Sequence, residues 1–442
     1  MSRQTVRSQT RRPSDLPKLT ALLKRGPPRY RCSGGCANIR TLVCSNSVQN
    51  ARALRQGGAT SQSVFEMRVM NKAVFLLLTY SVIFSAVADS VADGPLLYRG
   101  ASDASAAVAL SNNTFIVADD ENNVLRVYKT NGSRQGPPLI RDLPVSTHDL
   151  TAFLDIEPEH PEADIEGATM ISDRIYWITS HGRNKDGKMR PNRYRFFATT
   201  VKADNGNVTI HPVGLPYKTL IHKLLKTEAM RHLQLDKATR FDAGDLKKKQ
   251  REKLAPKEQG LNIEALCASA DGKTLYIGFR NPRPYDKKDP AAKALLVPLR
   301  NADSVVRRGD SPIFGEPILW DLAGLGIRSM EYSPQHKAYF VVAGPHDEAH
   351  KFVLYRWSGK KNEPPKPVRQ LGAIKSDFSP EALVAFKDSP RFLLLSDDGA
   401  LPVRVRDRSE CMEDELNDDG TCPNKFLTDP KRKTFKAMWL TP

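Results

Sequence analysis

The chain has 442 residues, of which 40% are hydrophobic and 26% are charged, the balance of a globular protein. Its formal net charge is +17, but residues 1–88 hold 14 Lys/Arg against 2 Asp/Glu, a net +12 that leaves only +5 for residues 89–442. Because the excess lies in a segment that we expect to be absent from the folded protein, and no recognition motif occurs, the charge does not predict nucleic-acid binding.

The N-terminal region contains the pattern of a signal peptide. Residues 1–66 are rich in Arg, Ser, Gln and Gly without periodicity, which indicates a disordered leader or, as we favour, a mis-assigned start codon. Residues 67–88 join a short basic region, an apolar run and a small-x-small cleavage pattern, so we interpret them as a signal peptide. The apolar run is short for a membrane span, so we expect a secreted or periplasmic protein with no stable span after cleavage.

Five similar units follow the signal peptide. Each unit has an inner strand, a polar turn and an aromatic or β-branched second strand, clearest in GLNIEALCASADGKTLYIGFR. The units lie at residues 102–120, 164–180, 260–280, 327–344 and 379–398. Two further short strands complete each unit, and four strands per repeat predict the blades of a β-propeller. We therefore expect residues 89–442 to form a single all-β propeller domain.

Counting the strands predicts how the ring closes. Fourth strands are predicted at residues 139–143, 208–213, 317–322 and 368–371, while the fifth unit ends on its third strand. Residues 96–98 have the pattern of the missing fourth strand, so the N-terminal strand is expected to complete the last of five blades. A six-bladed ring is the alternative, with an extra strand at residues 404–407.

Two long insertions interrupt the repeats, and both are expected on the same face of the propeller. Residues 218–259 contain Leu220, Ile221 and Leu224, a spacing that predicts an amphipathic helix. Residues 398–433 contain the acidic segment CMEDELNDDGTC, bracketed by Cys411 and Cys422. We expect this cysteine pair to form a disulfide in an oxidising compartment.

An acidic residue recurs near the start of the inner strands, at Asp103, Glu166, Glu264 and Glu381. Because inner strands line the central channel, these carboxylates converge and must be protonated, neutralised or bound to a metal. Oxygen ligands suit calcium. The fourth unit has Arg328 and Ser329 instead, which leaves two alternatives. Either Ser329 faces the channel and a cation is bound, or Arg328 neutralises the acids without a metal. A purely catalytic carboxylate pair is a third alternative.

The inner-strand order resembles that of the calcium-activated apyrases, five-bladed propellers that hydrolyse nucleotide di- and triphosphates. That family places Ser, Glu, Glu, Ser and Glu from successive blades around a channel calcium. The matching positions here are Ser105 (or Asp103), Glu166, Glu264, Ser329 and Glu381. The phrase FIVADD is also similar to the apyrase strand that ends in two aspartates. The resemblance omits the long loops, so it implies fold and metal more than activity.

A closer resemblance covers nearly all of residues 95–442. The phrases YRGASDAS, DIEGA and GLNIEAL are similar to those of a family of secreted bacterial proteins, the domain of unknown function 3616. That resemblance implies a propeller fold and no assigned reaction, and a fold alone does not give a function.

Basic side chains lie on the loops of the propeller face that is expected to carry the two insertions. They form a candidate anion site, because guanidinium groups match phosphate oxygens. They are His181, Arg183, Arg190, Arg193, Arg280 and Arg283, and solvated surface charge is the alternative. We predict an exported monomeric propeller with an axial calcium, acting as a metal-assisted hydrolase of phosphate esters or anhydrides on an anionic or phosphorylated small molecule. The alternative is a non-catalytic ligand- or protein-binding propeller of the cell envelope. The sequence assigns no catalytic residue.

Overall fold

The computed structural model describes residues 94–132, 142–204, 207–233, 235–241, 246–284, 291–347, 349–372 and 377–442. The predicted leader and signal peptide lie outside these ranges. Within them, no helix has both the length and the apolar character that crossing a membrane would need.

The described residues are mainly β-strands. In chain order these are β1 (Leu96–Arg99), β2 (Ala106–Ser111), β3 (Thr114–Ala118), β4 (Val124–Lys129), β5 (Ser146–Asp149), β6 (Ile165–Ile171), β7 (Arg174–Thr179), β8 (Phe196–Asp204), β9 (Asn207–Tyr217), β10 (Asn262–Ala268), β11 (Leu275–Asn281), β12 (Ala294–Leu299), β13 (Ile318–Trp320), β14 (Gly326–Ser333), β15 (Ala338–Gly344), β16 (Val353–Trp357), β17 (Lys366–Gln370), β18 (Pro380–Ala385), β19 (Phe392–Ser396), β20 (Pro402–Arg404), β21 (Thr421–Pro423) and β22 (Thr434–Leu440). The helices are α1 (Thr151–Leu154), α2 (Leu220–Leu224), α3 (Glu228–Arg231), α4 (Leu235–Thr239), α5 (Lys248–Glu252) and α6 (Ala302–Arg308).

The strands form five antiparallel four-stranded sheets, the blades of a propeller. Blade one is β2 to β5, blade two β6 to β9, blade three β10 to β13 and blade four β14 to β17, while blade five is β18, β19, β22 and β1. The inner strands contact one another in a cycle, β2 to β6 to β10 to β14 to β18 and back to β2. The predicted five-bladed β-propeller is therefore confirmed.

Ring closure also follows the prediction. Strand β1 pairs antiparallel with β22, with Leu96 opposite Ala437 and Arg99 opposite Thr434. The six-bladed alternative is wrong, because β20 at the start of its proposed extra strand pairs with β21 inside the insertion of residues 398–433.

An aromatic cluster fixes the closed blade against its neighbour. Tyr98 of β1 stacks on Phe435 of β22 with ring centroids 5.1 Å apart, and its edge meets Phe115 of blade one at 5.3 Å. Both phenylalanines and Tyr98 are fully buried. Aromatic pairs in this geometry add stability beyond the area that they bury.

The predicted fourth strand of blade one is wrong in position. The strand is β5, which pairs with β4 and places Ser146 opposite Val127, whereas residues 139–141 of the predicted segment lie outside the described residues. The reason is that β5, with the sequence STHD, is an outer strand that is only half-buried. It therefore carries no apolar pattern from which it can be recognised.

The insertion of residues 218–259 is helical, as predicted. Leu220, Ile221 and Leu224 of α2 are buried and pack in one core with strands of blades two and three. Helix α6 was not predicted, although Ala302, Val305 and Val306 have helical spacing and are buried.

The predicted cysteine pair is joined by a disulfide. The Cα atoms of Cys411 and Cys422 are 5.8 Å apart, and the pair packs with Leu427 in a small separate core. The same insertion brings the Lys425 ammonium to 2.6 Å from a carboxylate oxygen of Glu121 in blade one. The insertion thus contacts the neighbouring blade one as well as its own blade.

Candidate functional site

Charged side chains gather at one end of the central channel, which we call the upper mouth. It is formed where the inner strands begin and the second strands end, because these two strands run antiparallel in every blade. The acids that the sequence singled out all lie there, but they divide into two groups with different surroundings.

The first group, the arginine-paired group, consists of Glu264, Glu381, Arg280 and Arg328. Arg328 is shared between both acids, with its Nε 3.0 Å from Oε2 of Glu264 and its Nη2 bonded to Glu381. Arg280 Nη1 lies 2.7 Å from Oε1 of Glu264. All four side chains are buried. For these two acids, neutralisation by arginine is the alternative that the geometry supports.

Further hydrogen bonds hold the arginine-paired group in place. Asn262 Nδ2 donates to Oε1 of Glu264 at 2.6 Å, and Arg280 donates to the carbonyl oxygens of Pro345 and His346 at 3.2 and 3.0 Å. Burial raises the pKa of Glu381 to about 8, although Arg328 opposes the shift. The ion pair with Arg328 therefore favours the charged form of this carboxylate and opposes the effect of burial.

The second group, the carboxylate group, consists of Asp103, Asp120, Glu121, Asp164 and Glu166. Oxygens of Asp103, Asp120 and Glu121 all lie within 4.8 Å of one another, and so do oxygens of Asp120, Asp164 and Glu166. Asp120 belongs to both sets and so lies at their centre. Two of the sequence-predicted metal ligands, Asp103 and Glu166, are in this group.

Local backbone structure aims these acids at one another. The loop after β3 is held by Asp119, whose carboxylate accepts the N–H groups of Ser102 and Glu121 at 2.9 and 3.0 Å. Asp164 has a left-handed backbone, φ 61°, directly before β6, and its carboxylate accepts the hydroxyl of Ser180. Gly399 N–H donates to Oδ1 of Asp103 at 2.6 Å. Blades one, two and five thus build the carboxylate group together.

The carboxylate group contains more acidic side chains than its protein neighbours could neutralise if all of them were charged. Burial first, and neighbouring carboxylates second, raise the pKa values of Asp103, Asp120 and Glu166 well above their usual range. The cations that reach the group among the described residues are Arg193, 2.9 Å from Asp164, and Lys425 beside Glu121. Oδ1 of Asp120 is buried and has no hydrogen-bond partner within this part of the chain.

The carboxylate group is walled on one side and accessible on the other. Asp103, Asp164 and Glu166 are buried, whereas Asp120 and Glu121 are partly exposed. An oxygen-lined recess of this kind fits a hard divalent cation such as calcium, with the open side left for water or a ligand oxygen.

The two predicted serine ligands lie deeper in the channel. Ser105 and Ser329 line a constriction of about 10 Å³ together with Glu166 and Glu264, which is room for about one water molecule. The hydroxyl oxygen of Ser329 accepts the N–H of Leu383 at 3.0 Å. This bond ties blade four to blade five.

The predicted anion-binding arginines are bonded to separate local acceptors. Arg183 donates to three carbonyl oxygens, at 2.7 Å for that of Arg240, and Arg190 donates to that of Met189 at 3.1 Å. Arg193 pairs with Glu162 and Asp164, and Arg283 donates to the carbonyl oxygen of Gly324. These bonds give the arginines a role in holding the loops of the upper mouth.

His181, the sixth predicted anion-binding residue, is fully buried. Its Nδ1 is 2.8 Å from the carbonyl oxygen of Thr179, and its ring meets the edge of Tyr194 with centroids 5.5 Å apart. Nε2 is buried without a hydrogen-bond partner among the described residues. Burial lowers the pKa of His181 to about 4, so the ring is neutral at pH 7.

We expect His181 to make the protein less stable as the pH falls from 6.5 to 4. Over that range the unfolded chain binds a proton at this histidine and the folded chain does not, because its pKa is lowered from 6.5 to about 4 on folding. The free energy of unfolding should therefore fall by up to about 3 kcal/mol more in the wild type than in His181→Asn. Asparagine tolerates the left-handed backbone of this position, φ 53°.

Urea unfolding of both proteins at pH 7 and pH 4 measures this difference. The carboxylates titrate in both proteins, so their contribution cancels in the comparison. Equal pH dependence in the two proteins would show that His181 is solvated in the folded state.

Several residues of the upper mouth were not singled out by sequence reasoning. They are Glu121, Asp164, Asp397 and Lys425, whereas Asp119 and Asp120 entered the sequence reasoning only through the phrase FIVADD. A signal for the aspartates exists, because second strands of blades one and five each end in an aspartate pair, FIVADD and LLLSDD. Each pair directly follows its strand, at the end of the propeller where the neighbouring inner strand begins. Lys425 has no such signal, since its position depends on how the insertion folds back.

Residues 103–376 match the family described as "Protein of unknown function (DUF3616)". No curated protein matches the chain. Similar solved structures include a putative oxidoreductase (glucose dehydrogenase) from Thermus thermophilus, with 10% identity over 78% of this chain and 100% of that chain and a TM-score of 0.36. The β-propeller domain of Cps50 (Swd1) from Myceliophthora thermophila has 7% identity over 76% and 82%, with a TM-score of 0.29.

Hydrazine synthase from Kuenenia stuttgartiensis is a further similar structure, with 11% identity over 67% of this chain and 65% of that chain and a TM-score of 0.27. At these identities and TM-scores the likenesses carry no argument about activity. The function has to be inferred from the residues of the upper mouth.

Proposed function

The chain belongs to the DUF3616 family of proteins of unknown function, and we propose that this member is an exported propeller that binds calcium at its carboxylate group and uses it to hydrolyse phosphate esters or anhydrides. The signal-peptide pattern of residues 67–88 supports export. The open side of the carboxylate group supports an enzyme, because a bound cation would keep coordination positions for a substrate.

A single observation carries the metal site. Asp120 is shared by two sets of three converging carboxylates, and its buried Oδ1 has no hydrogen-bond partner among the described residues. A buried acceptor without a partner is costly, and adjacent carboxylates repel one another. A cation bound among them removes both costs at once.

The donor set favours calcium over softer metals. Both sets contain carboxylate oxygens and neither contains His or Cys. Zinc and copper favour nitrogen or sulfur ligands, whereas calcium takes six to eight oxygens and accepts irregular geometry.

The chain's own residues would assist a phosphate substrate in two ways. A bound cation supplies Lewis acidity toward a phosphoryl oxygen. Arg193 and Lys425 border the carboxylate group through Asp164 and Glu121, so they present positive charge beside the position of an incoming anion. Asp120 and Glu121 are partly exposed, so a water bound to the cation on that side would lie beside them and would be the nucleophile.

Calorimetric titration tests the proposal on the full chain after chelation. We expect calcium to bind, with magnesium weaker, and Glu166→Gln, which removes one carboxylate from one of the two sets, to weaken binding. Glu363→Gln is the matched control, because Glu363 is an exposed acid paired with Lys360 away from the channel. The absence of calcium binding in the wild type would overturn the metal site.

A turnover assay then separates the two function classes. The panel contains p-nitrophenyl phosphate, a nucleoside diphosphate, a nucleoside triphosphate and a sugar phosphate, each with calcium and with chelator. Calcium-dependent release of phosphate that Glu166→Gln abolishes would support the hydrolase. Calcium binding without turnover across the panel would support the non-catalytic binding propeller instead.

A further inference from the structure

The opposite end of the channel, which we call the lower mouth, opens into a cavity of about 840 Å³. The cavity is lined by the ends of all five inner strands and by the turns that follow them. Its volume lies in the range of small-molecule sites. The upper and lower mouths are separated by the constriction at Ser105 and Ser329.

The lower mouth has apolar side chains on its wall and polar side chains at its rim. Apolar side chains on the wall are Val108, Leu110, Met170, Ile171, Tyr332 and Ala385. Polar side chains of the rim are engaged with one another, as in the bonds of Asn112 to Asp388 and of Ser269 to Asp271, both 2.6 Å. The charged rim residues Asp271, Lys387 and Asp388 are exposed to solvent.

Glu331 is the acidic side chain on the inner wall. It is on β14 and lines both the cavity and the constriction above it, and its carboxylate lies near the backbone N–H of Tyr332. Arg328, on the same strand, is committed to Glu264 and Glu381. No ion pair within the described part of the chain includes Glu331, so this partly buried acid is without a counter-ion.

We infer that the lower mouth binds a small organic cation, an amine whose ammonium group pairs with Glu331 and whose apolar body lies against Leu110, Met170 and Tyr332. A charge-assisted hydrogen bond to a carboxylate away from bulk water is among the stronger polar contacts. A metal ion is disfavoured, because Glu331 is the cavity's only inner carboxylate among the described residues.

This site is independent of the proposed calcium site. Burial raises the pKa of Glu331 well above its usual range, so a bound ammonium group, which favours the charged carboxylate, is preferred to an anion at this end of the channel. Titrations in the presence of a chelator leave the lower mouth competent while the upper mouth is without metal.

Calorimetric titration of the full chain with 2-phenylethylamine tests the inference, with the neutral isostere 2-phenylethanol as the comparison. We expect the amine to bind about tenfold or more tightly than the alcohol in the wild type. Glu331→Gln should remove this preference, whereas Asp388→Asn at the exposed rim should retain it. Met170→Trp, which narrows the cavity beside the expected position of the apolar body without altering the carboxylate, should weaken binding of both compounds and remains informative if Glu331→Gln does not fold.

Three results would overturn the inference. They are no binding of the amine to the wild type, equal affinity for the amine and the alcohol, and full retention of the amine preference in Glu331→Gln. Amine affinity that is unchanged by Met170→Trp would place the amine away from the wall of the lower mouth and would overturn it as well.

Discussion

Replacement of Arg328 by methionine is expected to lower the free energy of unfolding by about 3–5 kcal/mol, the cost of leaving a buried charge without its partner. Arg328 is the ion-pair partner of Glu381 among the described residues and one of two partners of Glu264. All of these groups are buried. Urea unfolding at pH 7 with chelator measures the loss, and methionine keeps most of the side-chain volume.

A second substitution separates charge from packing. Glu264 keeps Arg280 at 2.7 Å when Arg328 is absent, so Glu381 is the acid left unpaired. Arg328→Met combined with Glu381→Gln should therefore recover much of the lost stability. Arg328→Lys keeps the charge but loses the guanidinium fork. Its free energy of unfolding should therefore lie between those of the wild type and Arg328→Met. A loss below about 1 kcal/mol in Arg328→Met would contradict a buried ion-pair network.

Asp120→Asn is expected to weaken calcium binding about 100-fold or more, since even the loss of an outer-shell partner costs metal sites about 10–100-fold. Asp120 contributes to both sets of three carboxylates, so its removal leaves neither set complete. In the metal-free protein the same substitution should raise the melting temperature, because it removes one of several repelling buried acids.

Glu121→Gln is the matched comparison for Asp120→Asn. Glu121 belongs to one of the two sets, and it is already paired with Lys425 at 2.6 Å. We expect a calcium affinity loss of about tenfold. The measurements are calorimetric affinity and the shift of melting temperature with added calcium, which reports binding to the folded state. Equal effects of the two substitutions would show that Asp120 is not the centre of the site.

The blade skeleton could be predicted because its signal is local. A strand such as β11 or β15 has apolar and aromatic residues over consecutive positions and is bounded by turn residues, so each unit is recognisable by itself. Ring closure followed from counting strands. The outer strand β5 and the seven-residue helix α6 escaped because one has no apolar pattern and the other is short.

The site was only partly predictable, because its chemistry depends on which side chains reach one another between blades. The recurrence of Glu166, Glu264 and Glu381 predicted carboxylates at one end of the channel. It could not show that Arg328 would bond two of them and leave Glu166 among acids from other loops. Such pairing is set by side-chain length and by blade orientation, neither of which is visible in the spacing of residues.

The pairing of β1 with β22 also sets the order in which the molecule can be completed. During synthesis β1 emerges first, but its partner strand is made last, so its hydrogen-bonding edge stays open until residues 434–440 are available. Blades one to four can form from neighbouring segments, whereas blade five joins residues that are far apart in the chain, a slow kind of contact to form. The half-built ring is thus the species most exposed to aggregation or proteolysis, and final closure protects all five blades together.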